Sequence, residues 1–246
     1  MTVEYAQMAT DPHVWVCGTF EFGTTFSYRL PDASSQFAIG VPVPSPTAVK
    51  LGLVAAALHE SGDFARAERV FEIVRDCSIW YGLPERLTRF RAFIKRLKPE
   101  KEDGSKGDIP KSFLESTGTR DYFLMGGEVD VFLSVEREHL DLIVPLLGRI
   151  RRLGTTDSLC YCVRVTQQSP ERERCAVPLS EIEASLEQLE RTLVSLLDLS
   201  PTATFDQIDP YRQEVRRGNP FVRITYALPL RVEAAGPNWA LFQRTA

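Results

Sequence analysis

Ten basic side chains gather between positions 86 and 120: Arg86, Arg89, Arg91, Lys95, Arg96, Lys98, Lys101, Lys106, Lys111 and Arg120. Five acids share the stretch, Glu100, Glu102, Asp103, Asp108 and Glu115, so it carries +5 while the whole chain carries −4. The remainder therefore stands at −9. Guanidinium and ammonium groups at that density do one kind of chemistry well: they neutralise phosphates and release the counterions condensed on a nucleic-acid backbone. A charge run can also be no more than solvated surface. What sets this one apart is its confinement to one segment of an acidic chain, which concentrates the attraction for phosphate in one place.

Groups suited to acid-base or metal chemistry are sparse. The chain has three histidines, His13, His59 and His139. His13 precedes the first expected strand, His59 falls on a mostly apolar helix and His139 begins another, with no lysine and tyrosine pattern beside any of them to mark a general acid or base. Cys160 and Cys162 lie two apart on an expected strand and face the same way, but no second pair accompanies them, so zinc is not expected and they read as small buried apolar residues. Five cysteines without regular spacing make a poor disulfide framework and suit a reducing compartment.

The elements that must position the basic segment are legible from pattern. Residues 14–28 alternate in their second half, with Phe20, Phe22, Phe26 and Tyr28 on one parity, as in a half-buried strand. The stretch VPVPSPTAVKLGLVAAAL, residues 41–58, sets Pro42, Pro44 and Pro46 ahead of small and aliphatic residues. Proline fixes its own φ and extends the residue before it, so residues 40–45 should form a rigid arm. Ser45 is a good N-cap and Pro46 a good first helical residue, predicting a helix from Pro46 toward Ser61 and Gly62. Val49, Leu53, Ala56 and Ala57 make one apolar stripe, Leu51, Ala55 and Leu58 a second, and Gly52 leaves room for another backbone. That helix is most simply a core element; its N-terminus with Lys50 nearby also offers a place for phosphate.

Asp63 should cap a second helix with Phe64, Ala67, Val70, Phe71 and Val74 on one face, and residues 77–83 should form a strand. RLTRFRAFIKRLKP, residues 86–99, alternates as a strand, and residues 100–112 read as a mobile polar connection. From Thr119, RDYFLMGGEVDVFLSV predicts a β-hairpin turning at Gly126 and Gly127. A third helix over 136–153 buries Leu140, Ile143, Val144, Leu147 and Ile150, with Arg149, Arg151 and Arg152 in its last turn, where they either complement the dipole or contact RNA. LCYCVRV is an expected buried strand. Ser180 with Glu183 starts a fourth helix carrying Ile182, Leu186, Leu189, Leu193 and Leu196, and FVRITYALPLRVEA an expected closing strand pair. The order approaches β-α-β-β-α-β, an α+β, ferredoxin-like unit with a four-stranded antiparallel sheet.

The bulk numbers fit that scale. The chain has 246 residues, 43% of them hydrophobic and 25% charged, as in ordinary globular proteins. No run approaches the ~18 apolar residues of a membrane span, and MTVEYAQMATDPH lacks a basic region followed by an apolar one, so a cytoplasmic protein is expected.

Three of these stretches resemble a known family, the RAMP proteins of CRISPR systems, and within it the Cas-five type subunit of Cascade-like surveillance complexes. The strand leading to VPVPSPTAVKLGLVAAAL is similar to the family's proline-proline-serine-threonine entry into an alanine- and leucine-rich first helix. TRDYFLMGGEVDVFLSV is similar to the arginine-(acid)-tyrosine-leucine strand that follows the family's thumb insertion. IRRLGTTDSLCYC is similar to its glycine-containing turn and return strand. Together they cover residues 14–165. The resemblance implies one RAMP-type domain over 1–246, with a basic β-hairpin thumb at 86–120 on an RRM-like antiparallel sheet. Residues 166–246 would be a C-terminal elaboration with an extra helix and strands.

The resemblance further implies a non-catalytic subunit that binds the 5′ handle of a CRISPR RNA (crRNA) and caps a filament of Cas-seven type backbone subunits. It would contact a large Cas-eight or Cas-ten type subunit and meet target DNA through the complex, without a membrane partner. Implied RNA contacts are Arg86, Arg89, Arg91, Lys95, Arg96, Lys98, Lys111 and Arg120 on the thumb. Ser45 and Lys50 at the first helix, and Arg151, Arg152, Thr155 and Thr156 at the turn, would be secondary ones. No catalytic residue, metal or cofactor is expected. The chain lacks an RRM-type run such as lysine-glycine-phenylalanine-glycine-phenylalanine, so base stacking at the sheet centre is not predicted. Two other readings are a RAMP endoribonuclease that processes precursor crRNA and a protein-only interaction module.

Overall fold

The computed structural model describes residues 12–34, 36–99, 113–182, 190–209 and 218–245, with the backbone alone at 98 and 99. The connection at 100–112 and Lys111 lie outside the described residues.

Helix α1 (Pro46–Ser61) starts and stops where its sequence dictates. The Ser45 hydroxyl accepts from the Ala48 N–H, Pro46 needs no partner for a missing N–H, and Gly62 closes the helix at φ 66°. Its stripe of Val49, Leu53, Ala56 and Ala57 is buried, but Gly52 accommodates the Ile150 side chain and not another backbone. Asp63 caps α2 (Phe64–Arg75) through the Ala65 N–H, and Ala67, Val70, Phe71 and Val74 are buried while Phe64 stays exposed. These two helices pack on each other, and α1 also meets α3 (Leu140–Leu147).

Two sheets carry the rest. A seven-stranded one has the order β7 (Cys160–Gln167), β1 (His13–Phe22), β6 (Val129–Glu136), β3 (Ile79–Gly82), β8 (Cys175–Pro178), β10 (Phe221–Leu228), β9 (Thr192–Leu199). A five-stranded one runs β11 (Leu230–Gly236), β12 (Trp239–Arg244), β4 (Arg86–Pro99), β5 (Phe113–Met125), β2 (Phe37–Ala38). All pairings are antiparallel except that of β2 with β5. A short helix α4 (Phe205–Ile208) adds Phe205 to the main core beside Phe71. Side chains alternate across the larger sheet: Ile79, Tyr81, Val131 and Leu133 join the main core with the helices, whereas Trp80 and Phe132 join Cys17, Cys175 and Val177 in a second cluster. No helix among the described residues is long and apolar enough to cross a membrane.

The α+β class agrees with the sequence, but four features differ. The hairpin expected around Gly126 and Gly127 does not form, because β5 belongs to the small sheet and β6 to the large one. The chain crosses between sheets there, with the Gly126 N–H donating to the Arg86 carbonyl at 3.0 Å, and a Cβ on Gly126 would lie 2.5 Å from that oxygen. The strand pair expected in FVRITYALPLRVEA likewise splits at Pro229, with β10 in one sheet and β11 in the other. The single four-stranded sheet is thus replaced by two larger ones. Of the fourth helix, Leu193 and Leu196 lie on strand β9, where eight residues pair with β10, and residues 183–189 lie outside the described residues. A short apolar run fits both periods, and here sheet pairing decided.

Two further spans are corrected. The third helix ends at Leu147, following a 3-10 turn at Arg137–His139, so Arg149, Arg151 and Arg152 lie beyond it and do not complement its dipole. Strand β7 is an edge strand with Tyr161 and Val163 exposed, not a buried one.

Candidate nucleic-acid interface

β4 and β5 hold an unbroken antiparallel register from the pair Leu87 and Met125 to the pair Pro99 and Phe113. Support from neighbours stops early: β12 pairs with β4 only as far as Phe90, and β2 with β5 only at Thr119 and Arg120. Past that point the two strands hold each other as a ribbon, roughly 20 Å of it at the usual rise per residue. Its apolar side chains find little cover, with Phe93 71% and Leu97 66% exposed.

Parity divides the cations. Arg89, Arg91 and Lys95 share one face with Phe93; Arg86, Arg96 and Arg120 occupy the other. At the root of the first face sits Asp121, which is 0% exposed. Its carboxylate accepts from Arg91 Nε at 2.8 Å and Nη2 at 3.2 Å and from the Gly40 N–H at 3.2 Å, with Arg89 Nη1 3.9 Å away. Hydrogen bonding to that carboxylate raises Arg91 further above its ordinary range. The remaining pairs are exposed: Arg86 with Glu233 at 3.8 Å, Lys95 with Glu115 at 2.6 Å, and Arg96 with Asp157 at 2.9 Å.

Magnitudes separate the two groups. An exposed ion pair contributes about 0–1 kcal/mol, so a phosphate can replace its carboxylate at small cost. Stripping a buried carboxylate of its partner costs about 3–5 kcal/mol. Arg91, and with it Arg89, is therefore tied to the fold at the root of the ribbon. Arg86, Lys95 and Arg96 are exchangeable; for Lys98 the backbone alone is described, and Lys111 lies outside the described residues.

The glycine turn reaches the same ribbon. Gly154 has φ 119°, in the region that favours glycine, and a Cβ there would lie 2.8 Å from the Ser27 carbonyl. The buried Ser158 hydroxyl accepts from the Ser27 N–H at 2.8 Å and donates to the Ser27 carbonyl at 3.1 Å, and the Thr155 N–H donates to that carbonyl at 2.9 Å. So fixed, the turn presents Asp157 to Arg96 and, at 3.9 Å, to Arg120. Thr156, Arg151 and Arg152 are exposed and Thr155 half-buried.

Ser45 and Lys50 are not at this surface. Lys50 is 1% exposed; its Nζ lies 2.7 Å from Asp198 Oδ1 and donates to the Arg75 carbonyl at 2.8 Å. Ser45 is buried and its hydroxyl is the cap of α1. Both are corrected from phosphate contacts to parts of the core, because a charge read from residue type says nothing of the carboxylate that folding brings to it.

The histidines stand at the ends of elements, as expected: His13 opens β1, His59 lies in the last turn of α1 and His139 precedes α3. His13 and His139 line one cleft with Arg69, Glu72, Asp76 and Glu136, and His59 is exposed at the end of α1. Donor atoms of Glu136, Glu138 and His139 lie within 4.8 Å of one another, the one grouping among the described residues with metal-ligand types together, both carboxylates being exposed. The cysteines are thiols without reactivity to spare: burial pushes Cys17, Cys160 and Cys175 up to about 12 and Cys77 to about 11. Cys160 is buried and Cys162 half-buried.

Sequence reasoning missed Asp121 and Asp157, the two carboxylates that organise the ribbon. The alternation in TRDYFLM placed Asp121 on a strand face but could not name its partner.

A CRISPR-associated protein Cas5 from Archaeoglobus fulgidus (strain ATCC 49558 / DSM 4304 / JCM 9628 / NBRC 100126 / VC-16) is 35% identical over 231 residues, which is 93% of this chain and 98% of that protein. The chain belongs to the Cas5 family. No family model matches the sequence. The fold of this Cas5 family member is similar to that in a crystal structure of a CRISPR protein from Archaeoglobus fulgidus, with TM-score 0.51 at 14% identity over 95% of this chain and 92% of the other. A chain from a CRISPR RNA-guided surveillance complex aligns at TM-score 0.42 and 15% identity, over 87% of the Cas5 family chain and 90% of its own length.

Proposed function

We propose that this Cas5 family protein is a non-catalytic crRNA-binding subunit of a type I-like surveillance complex, acting in the cytoplasm in antiviral defence. It holds the crRNA 5′ handle, caps a filament of Cas-seven type subunits and contacts a large Cas-eight or Cas-ten type subunit, through which the complex meets target DNA. The β4-β5 ribbon is the thumb of residues 86–120, and residues 166–246 are an elaboration of one RAMP-type domain. The strand order β7-β1-β6-β3, with α1 and α2 between β1 and β3 and α3 between β6 and β7, supports a ferredoxin-like core within the larger sheet.

One observation carries the reading: a projecting two-stranded ribbon whose cations Lys95 and Arg96, with Arg86 in the sheet at its base, are held only by exposed carboxylates. Phosphates can exchange into such pairs, and the apolar Phe93 and Leu97 on the face of Lys95 supply surface for a covering subunit. The test is binding of handle RNA by the full chain across salt concentrations. Replacing Arg86, Lys95 and Arg96 with alanine should weaken binding and lower the slope of log K against log salt by about 0.7 per lost phosphate contact on a single strand. An unchanged slope with unchanged complex assembly sinks the assignment.

A second reading, metal-independent cleavage of precursor crRNA, has a location to act from in the cleft shared by His13 and His139. Incubating repeat RNA with the protein in a chelator separates the two: discrete products lost on His139→Ala favour the enzyme.

A further inference from the structure

One face of the five-stranded sheet carries an aromatic row on three adjacent strands. Trp239 on β12 is the register partner of Phe90 on β4, and Phe90 is the partner of Tyr122 on β5. The Phe90 and Tyr122 rings lie 5.7 Å apart at 21° to one another, while the Trp239 indole lies over Gly236 of β11, where a Cβ would come within 2.4 Å of Nε1. Neighbouring positions on these strands, Ala240 and Phe123, turn the other way into the interior. The row is partly open to solvent, with Trp239 43% and Phe90 36% exposed and Tyr122 half-buried.

Cations bracket it on the same face. Arg231, Gln243 and Arg86 form one cross-strand row on one side, and Arg120 precedes Tyr122 on β5 on the other, Arg86 and Arg120 being held, among the described residues, only by the distant partners Glu233 at 3.8 Å and Asp157 at 3.9 Å. An apolar protein partner has no need of guanidinium groups on both sides. A single-stranded nucleic acid has, since its bases offer π faces to aromatic rings while its phosphates seek flanking cations.

We infer that Trp239, Phe90 and Tyr122 form a stacking surface for unpaired nucleobases, with Arg86, Arg231 and Arg120 taking the adjoining phosphates. The inference rests on the RNA-binding reading above and adds to it how bases, as distinct from backbone, are held. It places stacking on the smaller sheet, away from the centre of the larger one.

The test uses the purified full chain, a single-stranded RNA 12-mer and an abasic 12-mer of equal charge. Phe90→Ala with Trp239→Ala should weaken RNA binding roughly ten-fold or more, leave the salt slope unaltered, and leave the abasic probe unaffected. Phe90→Leu with Trp239→Leu, which keeps apolar cover, should lose the same affinity while its urea midpoint stays near that of the unaltered chain. Equal binding by variant and unaltered chain, or an equal loss on both probes, overturns the stacking surface while leaving the ribbon reading intact. A salt slope that survives Lys95→Ala with Arg96→Ala overturns the ribbon reading alone. Absence of binding by the unaltered chain overturns both, and a variant that binds RNA normally but fails to assemble with other subunits makes the row a protein contact.

Discussion

Arg91 and Asp121 face each other as register partners on β4 and β5, with the arginine Nε 2.8 Å from the carboxylate Oδ1. The pair marks where the ribbon leaves the sheet, because β12 and β2 end their support at neighbouring residues. Asp121→Asn should therefore cost about 3 kcal/mol in urea unfolding, toward the low end for buried pairs because Arg91 keeps part of its side chain in water. A loss under about 1 kcal/mol would show that the carboxylate is no more than a surface partner.

The Lys50 and Asp198 pair predicts a stability effect in place of an RNA effect. Lys50→Met alone should cost about 3–5 kcal/mol by leaving Asp198 buried and unpaired, and adding Asp198→Leu should recover most of it. Neither change should alter the salt slope of RNA binding in the folded protein.

Burial also pushes the Asp198 carboxyl above its ordinary range, against the opposing pull of Lys50. The native state then holds this proton more tightly than the unfolded one, so the associated stability is complete below the ordinary carboxylate value of about 3.9 and declines as pH rises through the folded value. Subtracting the stability–pH curve of Asp198→Asn from that of the unaltered chain should show that decline; an opposite slope would contradict the direction of the shift.

Asp157 pairs with Arg96 and Arg120, so on the proposed RNA-binding reading it would compete with phosphate for them. Asp157→Asn should raise affinity for single-stranded RNA by up to about five-fold, the value of one exposed pair. Weaker binding in a filter or anisotropy titration would mean that the turn acts as a scaffold for the ribbon and does not compete.

Thiol chemistry gives a further check. Cys17, Cys160 and Cys175, with values pushed to about 12 by burial, should resist alkylation at pH 8 in the native protein and react only on unfolding. Their contribution to stability is complete below the ordinary thiol value of about 8.5 and is lost as pH rises toward the folded values. Rapid modification of all three under native conditions, read by mass spectrometry, would place them outside the core.

Local signals in the sequence were the reliable ones. Ser45, Pro46 and Gly62 set the ends of α1 from within a few residues, and RLTRFRAFIKRLKP is β4 from end to end. Strand partners were not legible, because alternation reports which face a residue occupies and not which strand lies alongside. Gly126 illustrates this: the dipeptide that suits a hairpin here serves a close approach to Arg86 as the chain changes sheets. Nor could the fate of Lys50 be read, since Asp198 sits on a strand distant in sequence. The ribbon's charge was visible as composition, but which cations are spent on Asp121 emerged only from their register.

The pairing of β12 with β4 has a consequence for how the chain is made. Strand β4 is translated early, yet its outer edge is closed by β12, roughly 150 residues later, a delay of about 8–30 seconds at usual synthesis rates. During that interval a nascent edge bearing Arg86, Leu87 and Phe90 stands open, and truncation ahead of β12 leaves it so permanently, inviting edge-to-edge association between unfinished molecules.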